Sequence, residues 1–256
     1  MTIMPKLQVR SLHKSFGSTS VLSGVDFSLN RGKSLAVLGR SGTGKSVLFK
    51  CIVGLMTPEQ GDVSIDGQSL SAATARQRKA LLAKIAVVFQ GSALFDSLNV
   101  WRNIMFTRMM SGGTSKKDLM GRAESLLQKV GLNGDDLTKA PGELSGGMQK
   151  RVAIARALAQ DPDLIFFDEP TTGLDPVTAG TIDDLIADVV TSTGVTAVTI
   201  THDLSTARLV ADEALFLDNG QVQWRGPVAS LDRNSIPDTM PPILQQFLSD
   251  RSVTRG

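Results

Sequence analysis

Short runs of apolar residues alternate with stretches of helical spacing along most of the chain. The runs with the length and the β-branched or apolar character of strands are Leu7–Leu12, Gly24–Leu29, Ser34–Leu38, Val63–Ile65, Ile85–Phe89, Leu164–Phe167, Val195–Ile200 and Ala214–Leu217. Several of these runs are apolar at consecutive positions, as expected of strands covered on both faces in a largely parallel sheet. The pattern therefore predicts an α/β fold built around a mostly parallel sheet.

Helical spacing dominates a long central segment, Asn99–Gln160, which contains no convincing strand. It predicts a helical insertion at approximately residues 92–160. Another helix is predicted over Gly44–Val53. The tail, Pro227–Gly256, is rich in proline and contains one short apolar helix candidate, Ile243–Leu248. We expect this tail to be an appendage to the core.

The composition is that of an ordinary globular protein, with 41% hydrophobic and 20% charged residues in a chain of 256. This length suits one large domain, or one domain with an inserted subdomain. The formal net charge is only +2, so we expect no nucleic-acid partner. The single cysteine, Cys51, cannot form an intrachain disulfide and suits a reducing compartment; we interpret it as a core thiol.

Membrane-spanning segments are not predicted. No stretch of about 18 or more apolar residues occurs, and the first ten residues lack the apolar run of a signal peptide. We therefore expect that any role at a membrane comes through a partner protein.

A phosphate-binding loop is predicted by Gly39-Arg40-Ser41-Gly42-Thr43-Gly44-Lys45-Ser46, which fits the pattern GxxxxGK[ST] between a predicted strand and a predicted helix. The glycines let backbone N–H groups curl around a phosphate, the helix N-terminus adds partial positive charge, and Lys45 adds a full charge. Ser46 is placed to ligate Mg²⁺. An ordinary glycine-rich turn is disfavoured, because the flanking strand and helix are both where a phosphate loop needs them. The segment predicts a site for ATP with Mg²⁺.

Two adjacent carboxylates, Asp168 and Glu169, end the apolar run Leu164–Phe167. Ligands bind at the carboxyl ends of strands in open α/β sheets. We expect Asp168 to hold Mg²⁺ and Glu169 to polarise the attacking water, since phosphoryl transfer depends on positioning and charge stabilisation. An Asp-Glu pair alone is more often a solvated strand end, but its place downstream of a phosphate loop favours catalysis.

A second anion-binding turn is predicted at Ser145, Gly146 and Gly147, before an Ala-rich helix at Gln149–Ala159. The turn would present N–H donors at a second helix N-terminus. Because Gly39–Ser46 already provides a cradle for one triphosphate, the second turn suggests another nucleotide, held by another copy of the chain. Taken alone, Ser-Gly-Gly is a common structural turn.

These three motifs, in this order, resemble those of the ABC ATPases, and the resemblance covers nearly all of residues 6–226. It implies an ABC-type P-loop NTPase fold, with a mostly parallel core sheet, an antiparallel β subdomain and an inserted helical subdomain. We expect an ATPase domain over residues 1–226, with the helical subdomain at about 92–160. Residues 227–256 form a C-terminal extension, available for contact with a dimer partner.

The resemblance also assigns roles to single residues. Phe16 is similar to the aromatic that stacks on adenine, and Gln90 to the glutamine that contacts Mg²⁺ and attacking water. Asp175 lies in a stretch similar to the loop that crosses to a partner subunit, and His202 resembles the switch histidine at the γ-phosphate. A lone histidine is usually a satisfied or surface residue, but the place of His202 after a predicted core strand favours the switch role.

The implied residue sets follow. The catalytic set is Glu169, His202, Lys45 and Gln90. The nucleotide-binding set is Phe16, Gly39, Arg40, Ser41, Gly42, Thr43, Gly44, Lys45, Ser46, Val47, Ser145, Gly146, Gly147 and Asp175. The magnesium set is Ser46, Gln90 and Asp168.

The family's architecture implies a homodimer that sandwiches two ATP molecules, the phosphate loop of one copy facing the Ser145 turn of the other. It implies separate integral-membrane permease subunits and a peripheral location at the cytoplasmic face of the inner (plasma) membrane. ATP closes the dimer and hydrolysis opens it, which moves the permease.

The segment after Gln90, Gly-Ser-Ala-Leu-Phe at 91–95, and Met148 in the signature resemble the ATPases of Mla/Mce phospholipid transporters (MlaF-like). This implies (phospho)lipid transport, an Mce-domain lipid-binding partner and, in some members, a STAS-domain partner. The ATPase of a polar amino-acid or other solute importer is the alternative. A soluble ABC ATPase of translation or DNA repair is disfavoured, because the chain has neither two cassettes nor a long coiled coil.

Overall fold

The computed structural model describes residues 4–232, 237 and 239–250. Within these residues, no helix combines the length and apolar character needed to cross a membrane. The strands are β1 (Leu7–Phe16), β2 (Thr19–Leu29), β3 (Ser34–Leu38), β4 (Gln60–Ile65), β5 (Gln68–Ser69), β6 (Ile85–Val88), β7 (Leu164–Asp168), β8 (Thr196–Thr201), β9 (Glu213–Asp218) and β10 (Gln221–Pro227).

The helices are α1 (Lys45–Ile52), α2 (Ala75–Leu82), α3 (Val100–Ser111), α4 (Lys116–Lys129), α5 (Gly146–Leu158), α6 (Pro176–Thr193), α7 (Leu204–Val210) and α8 (Pro242–Ser249). Short 3₁₀ helices cover Gly134–Thr138, Pro141–Glu143 and Val228–Ser230.

Six of the described strands form the core sheet, in the order β10-β9-β3-β8-β7-β6. Neighbouring strands in it are parallel except β9 and β10. Leu38 pairs with Thr201, and Asp168 pairs with Ile200, so β3, β7 and β8 end level with one another. The loops that follow these strands therefore open at the same edge of the sheet.

A second sheet, β2-β1-β4-β5, is antiparallel throughout. One apolar cluster joins it to the core sheet, with α1 between them. The mostly parallel core and the antiparallel sheet confirm the predicted fold class.

Helices α3, α4 and α5 lie between β6 and β7, where the helical spacing predicts an insertion. Helix α4 buries Leu119, Ala123, Leu126 and Leu127, the spacing of one helical face. These side chains share a continuous apolar cluster with β6, β7 and α6. The insertion is therefore packed directly against the edge of the core sheet.

Helix α8 packs on the core of its own chain. Leu244, Phe247 and Leu248 are buried, and the Phe247 ring lies 5.0 Å from the ring of Phe216 on β9, centroid to centroid. The same cluster includes Leu204 of α7. The predicted helix over Ile243–Leu248 is confirmed. Residues 233–236, 238 and 251–256 of the extension lie outside the described residues, and contact with a dimer partner stays a prediction.

Several boundaries differ from the sequence prediction. Strand β1 continues to Phe16 and β2 begins at Thr19. The sequence pattern predicts shorter strands because these hairpin ends are polar and half-exposed and lack an apolar run. Strands β5 and β10 were not predicted for the same reason: both are edge strands with few buried positions. Hydrogen bonding to a neighbouring strand, rather than side-chain pattern, makes these segments extended.

Candidate active site

A cavity of about 560 Å³ lies at the edge of the core sheet where β3, β7 and β8 end. It is lined by Val21, Arg40, Ser41, Gly42, Gly44, Lys45, Ser46, Val47, Gln90, Glu169, Thr172, His202 and Asp250. The structure thus brings together the phosphate loop, Gln90, Glu169 and His202, as the motifs predict. Of the predicted residues, Phe16, Gly39, Thr43, Asp168, Ser145, Gly146, Gly147 and Asp175 do not line it.

Glycine is required at two positions of the phosphate loop. A Cβ at Gly39 would lie 2.4 Å from the carbonyl oxygen of Leu217, and one at Gly44 would lie 2.9 Å from that of Val21. Gly44 also has a φ of 102°, in the left-handed region, immediately before α1 begins. The loop therefore fits tightly between neighbouring backbones, and a side chain at either position would displace it.

The Lys45 side chain is folded into this loop. Its Nζ donates to the carbonyl oxygens of Gly39 at 2.6 Å and Arg40 at 2.8 Å, and the residue is only 7% exposed. Burial lowers the pKa of the ammonium, while Glu169 and Asp168 favour the charged form. An anion bound by the loop would offset this desolvation, so the cradle fits the phosphates of ATP.

Glu169 has a left-handed backbone, with a φ of 46°. Its N–H donates to the carbonyl oxygen of Ile200 at 2.9 Å, which ties the end of β7 to β8. Its Oε2 accepts from Thr172 Oγ1 at 2.9 Å and lies 2.8 Å from Nδ1 of His202. The carboxylate is therefore held on two sides while it faces the cavity.

Asp168 ends β7 one residue earlier. Burial raises the pKa of its carboxyl, and the neighbouring Glu169 raises it further, whereas Lys50 and Lys45 act in the opposite direction. A cation beside this carboxylate would relieve the cost of its burial. The Asp168 carboxylate, the Ser46 hydroxyl and the Gln90 amide together supply the oxygen donors that Mg²⁺ prefers.

The described residues contain no group of three or more His, Cys, Asp or Glu side chains placed to hold a metal ion. A Mg²⁺ site made of one carboxylate, one hydroxyl and one amide would leave most of the coordination to water and phosphate oxygens. That is how Mg²⁺ is usually bound in nucleotide sites. The residues present therefore fit Mg²⁺ carried in with a nucleotide.

Buried hydroxyl groups behind the cavity were missed by the sequence prediction. Thr206 Oγ1 on α7 donates to Asp183 Oδ2 on α6 at 3.0 Å and lies 3.4 Å from Thr171 Oγ1. Thr171 follows Glu169 by two residues, so these contacts link the loop after Glu169 to the helix after His202. Asp183 and Asp184 are adjacent in the sequence, and only the fold decides that Asp183 is the buried one.

The turn at Ser145 begins α5, where Ser145 Oγ accepts from the N–H of Met148 at 3.3 Å. Ser145 and Gly146 are exposed, whereas Gly147 is buried with space for no side chain: a Cβ there would lie 2.6 Å from Thr178 Cγ2. Within one chain, this turn does not line the cavity that contains the phosphate loop. Ser145 and Gly146 are open to solvent at the N-terminus of α5, which fits contact with a second molecule.

Asp175 and Phe16 also lie outside the cavity lining. The Asp175 carboxylate caps α6, accepting from the N–H groups of Val177 at 3.1 Å and Thr178 at 3.0 Å. Hydrogen bonding from Thr178 lowers its pKa. Phe16 is 49% exposed, with Lys14 Nζ 5.4 Å from its ring centroid. The ring therefore has accessible surface on which a base can stack.

Known proteins are similar to this chain in sequence and in fold. Residues 22–172 match the family described as ABC transporter. The chain is 36% identical to the probable ribonucleotide transport ATP-binding protein mkl of Mycobacterium leprae (strain TN), over 96% of this chain and 70% of that protein. It is also 36% identical to the protein trigalactosyldiacylglycerol 3, chloroplastic, of Arabidopsis thaliana, over 94% of this chain and 72% of that protein.

A third relative is the L-cystine import ATP-binding protein TcyC of Bacillus subtilis (strain 168), 38% identical over 86% of this chain and 90% of that protein. Among solved structures, the chain is similar to the dimeric post-hydrolysis state of the ATP-binding cassette MJ0796 bound to ADP and Pi. That match has a TM-score of 0.78 and 30% identity, and covers 87% of this chain and 98% of the other. The fold, the cavity and these matches together show that the chain belongs to the ABC transporter family, as an ATP-binding subunit whose cassette couples ATP hydrolysis to transport.

Proposed function

We propose that this chain is the ATPase of a (phospho)lipid transporter. Two copies bind two ATP molecules with Mg²⁺ and drive separate permease subunits from the cytoplasmic face of the inner membrane. An Mce-domain lipid-binding chain, and in some assemblies a STAS-domain chain, completes the complex. The observation that carries the lipid assignment is the segment 91–95 after Gln90, together with Met148 in the signature turn.

In the proposed site, the N–H groups of residues 39–46 and the Lys45 ammonium hold the phosphates. Ser46, Gln90 and Asp168 hold Mg²⁺, which when bound neutralises charge on the phosphate oxygens. His202 contacts the γ-phosphate, and Phe16 stacks on adenine.

Glu169 acts on the attacking water. Its carboxylate accepts a hydrogen bond from the water and takes up the proton as the water attacks the γ-phosphorus, whose bond to the β–γ bridging oxygen breaks so that ADP leaves. The contacts with Thr172 and His202 fix the carboxylate, so little reorganisation is needed at the moment of reaction.

The signature turn Ser145–Gly147 and Asp175 are supplied to each site by the second copy. This is supported by the exposure of Ser145, Gly146 and Asp175, and by the absence of all four residues from the cavity lining of a single chain. The dimeric relative bound to ADP and Pi supports the arrangement. A monomer should then bind ATP but hydrolyse it poorly.

Exposed apolar side chains shortly after Gln90 in the sequence support a contact with a permease. Phe95 is exposed and packs against Phe106 of α3, with ring centroids 4.5 Å apart. Met110, at the end of α3, is also exposed. Exposed apolar side chains grouped in this way are typical of protein–protein contacts.

The second candidate is the ATPase of a polar amino-acid or other solute importer. It is favoured by the L-cystine import relative, of which the chain covers 90%, and by the relative named for ribonucleotide transport. The catalytic residues would be the same, because the substrate passes through the permease rather than through this cavity.

The discriminating experiment is to purify the membrane complex from its source cells through a tag on this subunit. Co-purifying chains and lipids are then identified by mass spectrometry. The lipid proposal predicts an Mce-domain chain and phospholipid enriched over a mock purification from untagged cells. A solute-binding protein in place of the Mce-domain chain, with no lipid enrichment, would establish the second candidate.

A further inference from the structure

Three backbone carbonyl groups just after β6 accept hydrogen bonds from two cationic side chains of α5. The carbonyl oxygen of Gln90 accepts from Lys150 Nζ. Those of Ser92 and Ala93 accept from the Arg156 guanidinium, at 2.8 Å and 2.7 Å. The segment that contains the predicted Mg²⁺- and water-contacting glutamine is therefore attached to the helix that begins at the signature turn.

The backbone of this segment is bent sharply to make these contacts. Ser92 has a φ of 60° and Ala93 a φ of 48°, so two consecutive non-glycine residues are left-handed. L-residues rarely adopt this conformation and hold it only where the surroundings compensate. The planar guanidinium of Arg156, which binds both carbonyl groups at once, is one of the contacts that compensate, beside the backbone bonds from Ser92 to Phe89 and from Ala93 to Gly91.

Burial of these side chains makes it costly to break their hydrogen bonds. Lys150 is 4% exposed, and burial lowers its pKa while the carboxylates of Asp168 and Glu169 favour its charged form. Burial also lowers the pKa of Arg156. A buried cation without an acceptor is costly, so Lys150 cannot leave its carbonyl partner without a penalty, whereas Arg156 is half-buried.

The two cations lie along the helix that carries Ser145. Lys150 and Arg156 are separated by about 9 Å along the axis of α5, from the rise of a helix. Lys150 binds the first residue of the segment 90–93, and Arg156 binds its last two residues. By contrast, strand β6 ends at Val88, which is paired with Phe167 of the core sheet. The junction between sheet and insertion thus lies before Gln90.

We propose that Lys150 and Arg156 are positioning residues that fix the Gln90 segment to α5, so that Gln90 and the signature turn of the same chain move as one body. This rests on the proposed function, in which Gln90 responds to the nucleotide and Ser145 serves the partner's site. Occupation of one site then places the signature turn for the other through a direct mechanical link. Gln90 belongs mechanically to the helical insertion and not to the core sheet.

The test compares four variants of the full-length chain. Lys150→Met removes the donor with little change in volume, Lys150→Arg restores a donor, and Arg156→Lys removes the fork. The matched control is Arg151→Met on the same helix. Arg151 donates to the carbonyl oxygen of Val130 at 2.6 Å, a contact within the insertion that does not involve residues 90–93.

The first readout is amide hydrogen exchange in the nucleotide-free chain. We expect exchange at residues 89–94 to be about tenfold or more faster in Lys150→Met and Arg156→Lys, because local opening no longer breaks charge-assisted bonds. Lys150→Arg and Arg151→Met should exchange there as the wild type does. On adding ATP, protection at the start of α5 should be lower than in the wild type only in Lys150→Met and Arg156→Lys.

The second readout separates nucleotide binding from turnover. The Kd for ATP should stay within about threefold of wild type in every variant, whereas kcat should fall about tenfold in Lys150→Met and recover in Lys150→Arg. Wild-type exchange and wild-type kcat in Lys150→Met would overturn the proposal. So would equal losses in Arg151→Met, since the effect would then be general destabilisation of α5.

Folding failure of one variant does not remove the test, because Lys150→Met and Arg156→Lys break different bonds of the same attachment. Failure of the site roles on which this proposal rests, Gln90 in responding to the nucleotide and Ser145 in serving the partner's site, has a separate signature. In that case ATP would cause no change in exchange in the wild-type chain, while the nucleotide-free exchange rates at residues 89–94 would still decide whether the attachment exists.

Discussion

At the scale of single residues, the candidate base is defined by its backbone as much as by its carboxylate. Glu169 is left-handed although it is not glycine, a conformation that costs about 1–3 kcal/mol. The bond from its N–H to Ile200 and the contacts of its side chain with Thr172 and His202 hold it there. Strain kept in this way at the edge of a cavity is typical of a functional position.

The substitution Glu169→Gln tests the role of this carboxylate. The amide has the same shape and can still accept from Thr172, but it cannot take a proton from water. We expect ATP binding to be retained and kcat to fall about 10²–10⁴-fold, the range for loss of a general base. Phosphate release measures turnover, and light scattering after size exclusion measures the ATP-bound dimer that should accumulate. A normal hydrolysis rate would show that Glu169 is not the base.

At the scale of elements, the signature turn depends on how closely α5 approaches α6. Gly147, in the first turn of α5, has room for no side chain, since a Cβ would lie 2.6 Å from the methyl group of Thr178. Thr178 is also one of the residues whose N–H is capped by Asp175. The position of the signature turn is thus set by a neighbouring helix that itself follows the loop after Glu169.

Gly147→Ala should therefore impair hydrolysis without unfolding the chain. Overpacking costs about 1–3 kcal/mol, which corresponds to about 5- to 150-fold in turnover if it falls entirely on the productive position of the turn. The double variant Gly147→Ala/Thr178→Ser should regain most of the activity, because serine lacks the clashing methyl group but keeps the N–H bonded to Asp175.

Steady-state hydrolysis and thermal unfolding of the wild type, both single variants and the double variant measure this coupling. Thr178→Ser alone serves as the control and should be close to wild type. If the double variant is no more active than Gly147→Ala, contact between these two side chains does not position the turn.

At the scale of the whole molecule, one chain contains the phosphate loop and the signature turn but does not bring them to one cavity. A second copy related by two-fold symmetry would place the signature turn of each chain at the phosphate loop of the other chain. Each active site would then be composite, and activity would depend on dimer formation.

Mixing two inactive chains tests this. Ser145→Ala retains the phosphate loop and Lys45→Ala retains the signature turn, so a heterodimer has one intact site and one site with both defects. With random pairing at equal amounts, about a quarter of the wild-type sites should be intact. Hydrolysis by each variant alone provides the baseline. Differently tagged chains purified in sequence establish that the heterodimer forms; a purified heterodimer without activity would contradict the composite site.

The features that could be predicted from the sequence alone are those that depend on residues close together along the chain. The phosphate loop is eight consecutive positions, and Asp168 and Glu169 directly end an apolar strand, so local geometry suffices to predict their chemistry. Consecutive apolar runs likewise predicted the buried strands of the core sheet, because burial on both faces leaves a continuous signal. The match to the ABC transporter family and to the dimeric ATP-binding cassette confirms the fold and the ATPase activity predicted from these motifs.

Only the tertiary structure decided which distant side chains meet. Helix α8 packs against Phe216 of its own chain, Thr206 bonds to Asp183, and Lys150 reaches the carbonyl of Gln90. Nothing in the local pattern marks Thr206, Asp183 or Lys150, since each is an ordinary member of a helix. The sheet order and the packing of the insertion bring them together, and a contact of this kind is a property of topology rather than of spacing along the chain.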